Sequence, residues 1–407
     1  MILIAETVHP GEVHAEINSA LVAMLREARR DTSIMMMAED AHIQALKRYR
    51  RVADARVSFQ AFRHRFVSKK CYWQWKILGE WLRIFSVIRA ARKCHPSLLV
   101  WTALFPTGHW LVRILTPFLL HKQRQVVVLH GELSYLEHTS RLSEKALHFF
   151  LKAGLRRGRQ PVRFIVLSDP IAVALLNQQL CCPNQISVLP HPFDYRLSGE
   201  KISEPDNTLG SGDDKKTNIN LRLNDGIKPL HIGTFGSLQA RKNIHLLFQL
   251  ADILEDLVRD KRLIISASGK CSPEIRAENR GELVQLSSSN QFMPREALRA
   301  EIAQLDLALF FHDKAAYRYT ASGAVHEAIR LHRPVLALGN SYMKWLVRQG
   351  AGIKLFESVE DMAEYIRQIL DGRHQIEVQK LRHANARFCL THTLEQQSTV
   401  LAQILDK

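Results

Sequence analysis

The segment IGTFGSLQARKN, residues 232–243, decides the fold because it reads as a buried strand that meets a helix through a glycine turn. Gly236 and Ser237 let backbone N–H groups approach an anion closely, and Arg241 and Lys242 follow at the start of the expected helix. A turn of this kind suits a diphosphate, whose charge the two cations and the helix N-terminus would neutralise. The alternative is a tight strand-to-helix turn whose charged side chains are merely solvated.

Short apolar runs alternate with helical patterns on both sides of this segment, which is typical of parallel sheets with crossover helices. Upstream, the runs predict strands at residues 1–5, 33–38, 98–104, 125–129, 164–167 and 186–189. Downstream, they predict strands at residues 230–233, 263–267, 307–311 and 335–338. We therefore predict an α/β protein with two Rossmann-like domains that face each other across a cleft.

The composition changes between the two halves of the chain. Residues 196–228 are rich in Gly, Asp, Asn, Ser and Lys and poor in apolar residues, so we expect a linker or mobile loop there. This segment separates an N-terminal domain, residues 1–195, from a C-terminal domain, residues 229–380. Residues 381–407 are amphipathic and are expected to form terminal helices that pack on the domains.

A second loop-to-helix segment, YRYTASGAVHEAIRLHRPVLALGNSYMKWLVRQGAGI, covers residues 317–353. Small residues run from Thr320 to Gly323 and lead into a helix that carries Glu327. Ser322 and Gly323 would present N–H groups to a phosphate, and the carboxylate of Glu327 could hold the vicinal hydroxyls of a ribose. Alternatively, Glu327 is simply an acid that the helix dipole favours.

The order and spacing of GSLQARKN and HEAIRLHRPVLAL resemble the donor-binding domain of GT-B glycosyltransferases, especially glycosyltransferase family 4, over residues 229–380. The resemblance implies that Lys242, with Arg241 near it, binds the diphosphate of a nucleotide-sugar donor. It also implies that Glu327 binds the ribose and that the backbone around Phe292 binds the nucleobase.

Two positions depart from the family pattern. Tyr319 stands where the family has a first Glu near the transferred sugar, and Ser237 stands where an arginine usually follows the glycine. The identity of the sugar and the retaining or inverting outcome therefore stay open. The complete set of expected donor-binding residues is Gly236, Ser237, Arg241, Lys242, Phe292, Tyr319, Thr320, Ser322, Gly323 and Glu327.

The N-terminal half resembles the family's acceptor domain through the loop HPGEVHAEINSAL, which contains Gly11, and the strand end VVVLHGELSYL. His130 follows a predicted parallel strand, where open α/β sheets bind ligands, and family members often carry a histidine there beside the transferred sugar. We predict that His130 is a general base or sugar contact, with Glu132 and His14 as alternative bases. Equally, a single histidine at a strand end can be structural.

The formal net charge of +16 is concentrated in one segment, because residues 47–93 hold fourteen Lys and Arg against two acids. Within it, residues 63–93 interleave aromatic side chains with cations, which favours a helix at an anionic membrane surface. The alternative is that the aromatic side chains fill the core and the charges are solvated. The expected membrane-facing residues are Lys69, Lys70, Trp73, Trp75, Trp81 and Arg83.

Several classes of protein are excluded by pattern. The six cysteines show no spacing suited to zinc, so we expect a reducing compartment and no metal site. We expect no signal peptide and no transmembrane helix, because the apolar stretches are short or interrupted by Pro, Gly and charged residues. We expect a cytoplasmic protein that associates peripherally with the inner face of the cell membrane.

The combined prediction is a glycosyltransferase of the hexosyltransferase type that moves a sugar from a nucleotide-sugar donor to a glycan or lipid-linked acceptor. The resemblance implies a role in bacterial surface polysaccharide or glycolipid synthesis, without a cofactor or an obligatory metal ion. The alternatives are a nucleotide-sugar epimerase or an inactive relative on the same fold, and a basic nucleic-acid-binding protein. The last is disfavoured because no nucleic-acid-binding module is evident. The sugar, nucleotide, acceptor and oligomeric state stay open.

Overall fold

The computed structural model describes residues 1–63, 73–120, 123–137, 141–156, 162–196, 228–279, 281–289, 293–312, 314–315 and 317–406. The chain divides into two compact units. The first unit comprises Met1–Asp194, Ala315–Ala321 and His392–Lys407, and the second comprises Tyr195–Lys314 and Ser322–Thr391. Nearly all of the expected linker, residues 197–227, lies outside the described residues.

A parallel seven-stranded sheet forms the centre of the first unit, in the order β3-β2-β1-β4-β5-β6-β7. Its strands are β1 (Ile2–Glu6), β2 (Ile34–Ala38), β3 (Val57–Ala61), β4 (Leu98–Ala103), β5 (Arg124–Val128), β6 (Val162–Val166) and β7 (Ile186–Val188). The helices between them are α1 (Ala15–Ala28), α2 (Asp40–Lys47), α3 (Trp73–Cys94), α4 (Pro106–Leu119), α5 (Leu142–Leu155) and α6 (Asp169–Asn177). Every residue of β1 and β4 is buried, as expected for central strands of a parallel sheet with both faces covered.

A parallel six-stranded sheet forms the centre of the second unit, in the order β10-β9-β8-β11-β12-β13. Its strands are β8 (Leu230–Leu238), β9 (Leu263–Cys271), β10 (Val284–Ser289), β11 (Leu307–Phe310), β12 (Val335–Leu338) and β13 (Ile353–Phe356). Its helices are α7 (His245–Ile253), α8 (Glu255–Arg259), α9 (Pro273–Ala277), α10 (Arg295–Gln304), α11 (Gly323–Arg330), α12 (Ser341–Arg348), α13 (Val359–Leu370) and α14 (Gln375–Thr391). The prediction of two Rossmann-like α/β units is confirmed.

The last helix, α15 (Leu394–Asp406), packs on the first unit rather than on the second. Leu401, Ile404 and Leu405 join the apolar core beneath α1. Arg163 donates a hydrogen bond to the carbonyl of Ile404 at 3.1 Å, which fixes the end of the helix. The C-terminus of the chain therefore completes the core of the N-terminal sheet.

Three strands were absent from the prediction, namely β3, β10 and β13, and all three are edge strands. An edge strand of a parallel sheet is covered on fewer sides, so its sequence needs no continuous apolar run. Strand β10 reads VQLSSS and β13 only IKLF. Hydrophobic patterning consequently finds the central strands and misses these.

Helix α3 turns one face inward and the other outward, which corrects one of the expected membrane-facing residues. The Arg83 side chain is buried and its Nε donates to the carbonyl of Thr7 at 2.8 Å, while burial lowers the pKa of Arg83 to about 10. Trp81 packs against the core and its ring lies 6.3 Å from that of Trp110. Arg83 therefore cannot face a membrane, and the partly buried Trp81 packs against the core with one side of its ring.

The outward face of α3 remains apolar, with Trp75 57% exposed and Phe85 46% exposed. Lys69 and Lys70 lie outside the described residues, as does the side chain of Trp73. Among the described residues, no helix combines the length and the hydropathy that a bilayer crossing requires.

Candidate donor and acceptor sites

The carboxyl ends of β8 and β11 form the first candidate site. The chain leaves β8 towards β9 on one side, while β12 and β13 extend the sheet from β11 on the other. Open α/β sheets bind ligands at such a reversal of strand order. The two segments singled out in the sequence follow these two strands, so the fold brings them to the same edge of the second sheet.

The two segments converge at Gly236. A side-chain carbon built on Gly236 would lie 3.6 Å from Lys242 Nζ and 3.8 Å from Ala324 Cβ, in the first turn of α11. An ammonium group and a helix N-terminus therefore face one point on the backbone. Both favour an anion, and the absence of a side chain at Gly236 leaves the backbone accessible to it.

Gly236 also lies inside the sheet, which corrects the expected end of the strand. Strand β8 continues to Leu238 and pairs with β9 as far as Cys271, with Gly236 opposite Gly269. Both glycines have left-handed backbone angles, φ 96° and φ 133°. A side-chain carbon on Gly269 would lie only 2.0 Å from the carbonyl oxygen of Gly236, so the ladder can pass this point only with glycine at 269.

The residues after β8 are held by a short turn rather than by the start of a helix. Ala240–Lys242 form a single 3-10 turn, and α7 begins only at His245. Asn243 takes the left-handed conformation, φ 52°, and its Nδ2 donates to the carbonyl of Phe311 at 3.1 Å. This bond ties the Lys242 turn to the end of β11. The side chain of Arg241 lies outside the described residues.

Ser322 and Gly323 stand at the N-terminus of α11, as the sequence predicts, with Ser322 as the N-cap. Ser322 is buried and its side chain makes no capping hydrogen bond. The hydroxyl of Ser237 is likewise buried and has no hydrogen-bond partner among the described residues. Buried hydroxyl groups usually have partners, so a ligand group is the natural partner at Ser237.

Glu327 is surrounded by three arginines that the sequence analysis did not identify. Its Oε1 accepts from Arg295 at 3.1 Å, and its Oε2 accepts from Arg330 and lies 3.8 Å from Arg299 Nε. Arg330 is three residues further along the helix, a spacing that could have been recognised. Arg295 and Arg299 belong to α10, and no sequence pattern connects them to Glu327.

Two expected donor-binding residues lie in the other unit. Tyr319 and Thr320 fall within Ala315–Ala321, which belongs to the first unit, and Tyr319 packs in its apolar core. The chain therefore returns to the first unit just before α11, and a donor-binding role for Tyr319 and Thr320 stays a prediction. Phe292 lies outside the described residues.

The second candidate site lies at the carboxyl ends of β1, β4 and β5, where the strand order of the first sheet reverses. His130 directly follows β5, and its ring centroid lies 5.0 Å from that of His14, at the start of α1. The fold thus brings together two of the three predicted bases. Both rings are enclosed, and burial lowers the pKa of each, so both are neutral at pH 7 and able to accept a proton.

The hydrogen bonds and the pKa of Glu132 do not suit a general base. Its two carboxylate oxygens accept from the backbone N–H of His130 at 3.0 and 3.1 Å, and Oε1 lies 3.5 Å from Nε2 of His109. Burial alone would raise the pKa of Glu132, but His109 outweighs it and the pKa is lowered. Glu132 therefore holds the loop that carries His130.

Sequence reasoning missed a carboxylate and imidazole pair in the loop after β1. Glu6 is fully buried and its Oε1 lies 3.3 Å from Nδ1 of His9, whose ring centroid is 3.8 Å from that of His14. Burial disfavours the charged form of His9, yet the Glu6 carboxylate outweighs it and raises the pKa of His9. The sequence signal for this pair is the spacing of Glu6 and His9, which stand three residues apart in ETVHPG after the predicted first strand.

Gly11 lies in the same loop, with φ 59° and open space around its α-carbon. Its N–H donates to Glu39 at 3.0 Å, and its carbonyl oxygen lies 2.7 Å from Nδ1 of His42. The loop is therefore fixed from both sides of one glycine. This arrangement holds His9 and His14 at the edge of the sheet.

Comparison with solved structures identifies the architecture. The structure of Alr3699/HepE from Anabaena in complex with UDP matches with a TM-score of 0.64 and 16% identity, over 100% of this chain and 99% of that one. The chain has the GT-B fold. WaaG, a glycosyltransferase involved in lipopolysaccharide biosynthesis, matches with a TM-score of 0.62 and 15% identity, over 99% of both chains. Sucrose-phosphate synthase from Thermosynechococcus elongatus matches with a TM-score of 0.63 and 13% identity, over 100% of this chain and 98% of that one.

No protein-family model matches the GT-B chain, and no curated protein sequence matches it. Identities this low show the fold alone. HepE also matches as a structure in complex with UDP-glucose, with a TM-score of 0.63 and 15% identity.

The glycine pair at 236 and 269 gives a test of the site's construction. Gly269→Ala should lower the free energy of unfolding by more than about 4 kcal/mol, because backbone strain and a clash with the Gly236 carbonyl add together. Gly236→Ala meets only ordinary contacts and should cost about 1–3 kcal/mol from strain. Chemical denaturation measures the free energy of unfolding of both variants. Equal losses in the two variants would contradict the described contact between Gly269 and the Gly236 carbonyl.

Proposed function

We propose that this chain is a glycosyltransferase whose second unit binds a nucleotide-sugar donor. The observation that carries the proposal is the convergence of Lys242 and the N-terminus of α11 on Gly236. A diphosphate leaving group needs positive charge where negative charge develops, and a fixed ammonium group with a helix N-terminus supplies it. The role of this segment in diphosphate binding is supported by the GT-B fold and by the UDP bound to HepE.

Ser237, Ser322 and Gly323 complete the proposed diphosphate site through a hydroxyl group and backbone N–H groups. Glu327 is proposed to contact the ribose, with Arg295 and Arg330 holding its carboxylate in place. Removing the carboxylate would leave Arg330, whose side chain is 3% exposed, without this partner. Glu327→Ala would therefore disturb the fold as well as the donor, so Lys242 is the better residue to test.

Lys242→Ala should weaken binding of UDP and UDP-glucose by about 10- to 100-fold, the loss expected for a charge-assisted contact to phosphate. Isothermal titration calorimetry measures the affinity, after a thermal-shift screen of nucleoside diphosphates has identified the preferred base. Lys380→Ala is the matched control, since Lys380 is exposed on α14.

Unchanged nucleotide affinity in Lys242→Ala, or equal losses in both lysine variants, would reject the donor site. Because Lys242 packs near Gly236, the far-UV circular dichroism of the variant should first match that of the parent.

In the first unit we propose that His130 accepts the proton of the acceptor hydroxyl or contacts the transferred sugar, with His14 beside it. The lowered pKa of each imidazole keeps it neutral, which is the form that a general base requires. The buried Nε2 of His130 has no hydrogen-bond partner among the described residues, which leaves it available to substrate.

His130→Gln should lower kcat for sugar transfer by about 10²- to 10⁴-fold, the usual contribution of a general base. The affinity for UDP should be unchanged, because the proposed donor contacts belong to the second unit. His95→Gln, an exposed histidine after α3, serves as the control. A normal kcat in His130→Gln would remove this residue from the mechanism.

We propose further that the enzyme works peripherally at the inner face of the cell membrane on a glycan or lipid-linked acceptor, in surface polysaccharide or glycolipid synthesis. The support is an apolar face on three neighbouring helices: Trp75, Leu78, Leu82 and Phe85 on α3, Ile114 and Phe118 on α4, and Phe149 on α5. On α3 these positions recur at helical spacing, and the exposed cations Lys76, Arg89, Arg92 and Lys93 accompany them. Apolar side chains beside cations suit an anionic bilayer surface.

The double substitution Trp75→Ser and Phe85→Ser should weaken binding to vesicles by about tenfold or more, since each buried aromatic side chain contributes about 1.5–3 kcal/mol. Co-sedimentation with phosphatidylcholine vesicles, with and without phosphatidylglycerol, measures it. Binding of the parent should also fall with added salt. Ile376→Ser, which removes an apolar residue 74% exposed on α14, is the control. Equal vesicle binding by all three proteins would contradict the membrane assignment.

A further inference from the structure

Glu6 and His9 have no role in the proposed sugar transfer, and together with His14 they form a cluster at the carboxyl end of β1. One ligand atom from each residue lies within 4.8 Å of the others, in the described part of the chain. We propose that this cluster binds one divalent transition-metal ion of the Zn²⁺ type. The proposal concerns the loop after β1 and is independent of the donor site on the second unit.

The carboxylate of Glu6 is held as metal-binding carboxylates are held. Its Oε1 accepts from the backbone N–H groups of Val8 and His9, each at 2.9 Å. Its Oε2 accepts from Asn18 Nδ2 and from the hydroxyl of Thr102, each at 3.0 Å. Ligating carboxylates are oriented by outer hydrogen bonds, so the bonds to Oε2 would keep Glu6 in place when Oε1 exchanges a backbone N–H for an ion.

The two imidazoles supply the second, independent observation. Nδ1 of His14 is buried and has no hydrogen-bond partner in the described residues, while Nδ1 of His9 lies 3.3 Å from Glu6 Oε1. His130, which lies next to His14 and is only 6% exposed, also has a buried Nε2 without a hydrogen-bond partner among the described residues. A buried polar atom without a partner destabilises the fold, and an ion would engage several such atoms at once.

The donor set selects the class of ion. Two imidazole nitrogens with one carboxylate oxygen suit Zn²⁺, Co²⁺ or Fe²⁺, whereas Mg²⁺ and Ca²⁺ prefer oxygen ligands. Three protein ligands leave a fourth position of a tetrahedral site open, and the His130 ring lies beside His14, with the ring centroids 5.0 Å apart. Sequence spacing did not reveal the site, because residues 6, 9 and 14 meet only through the loop.

Titration of the full-length protein with Co²⁺, followed by visible absorption, tests the proposal. We expect one equivalent of Co²⁺ to give the spectrum of a tetrahedral site with nitrogen ligands, and Zn²⁺ to displace it. His14→Ala and His9→Ala should each weaken Co²⁺ binding by tenfold or more, because each removes a direct ligand. His245→Ala, an exposed histidine on α7, should bind Co²⁺ as the parent does.

Two outcomes would overturn the metal site. One is the lack of a tetrahedral Co²⁺ spectrum in the parent protein. The other is undiminished binding in His14→Ala and His9→Ala, which would show adventitious binding elsewhere. Glu6 is left unchanged in this series, because a residue that accepts four hydrogen bonds in the core is needed for folding.

A second readout rests on the proposed function. An ion on His14 would withdraw an imidazole next to His130 from proton transfer, so Zn²⁺ should inhibit sugar transfer and a chelator should restore it. Co²⁺ binding without any sugar transfer would reject the proposed function alone. Sugar transfer without Co²⁺ binding would reject the metal site alone.

Discussion

The contact between the backbones at Gly236 and Gly269 is the constraint on which the candidate donor site depends. Because Gly269 has no side chain, β8 and β9 stay paired at a point where a larger residue would clash with the carbonyl of Gly236. The extended β8 delivers Lys242 to the edge of the sheet, and Asn243 fastens that turn to the end of β11. Lys242 and the N-terminus of α11 then both face Gly236, and β8 and β11 position them.

Much of the architecture could be predicted from the sequence, because central parallel strands are buried on both faces and read as continuous apolar runs. Strands β1, β4 and β11 belong to this class, and they carry parts of the candidate sites at their carboxyl ends. The edge strands β3, β10 and β13 were missed for the complementary reason. The length of β8 was also missed, since the paired glycines that extend it are thirty-three positions apart in the sequence.

The residues of the candidate sites were also only partly predictable from the sequence. The glycine turn and the small-residue loop before α11 are local patterns, so Lys242, Ser322 and Gly323 could be identified from the sequence. The arginines around Glu327 come largely from another helix, and Glu6 reaches Asn18 and Thr102 only through the sheet. The packing of Tyr319 in the core of the first unit could not be predicted either, because the segment Ala315–Ala321 leaves the second unit between β11 and α11.

The position of α15 has a consequence for biosynthesis. The core beneath α1 lacks Leu401, Ile404 and Leu405 until α15 has left the ribosome. The N-terminal sheet is translated first, yet part of its apolar surface stays open while some two hundred residues of the second unit emerge, and open apolar surface of this kind invites aggregation. A stop codon before α15 would thus destabilise the first unit, although most of that unit is translated earliest.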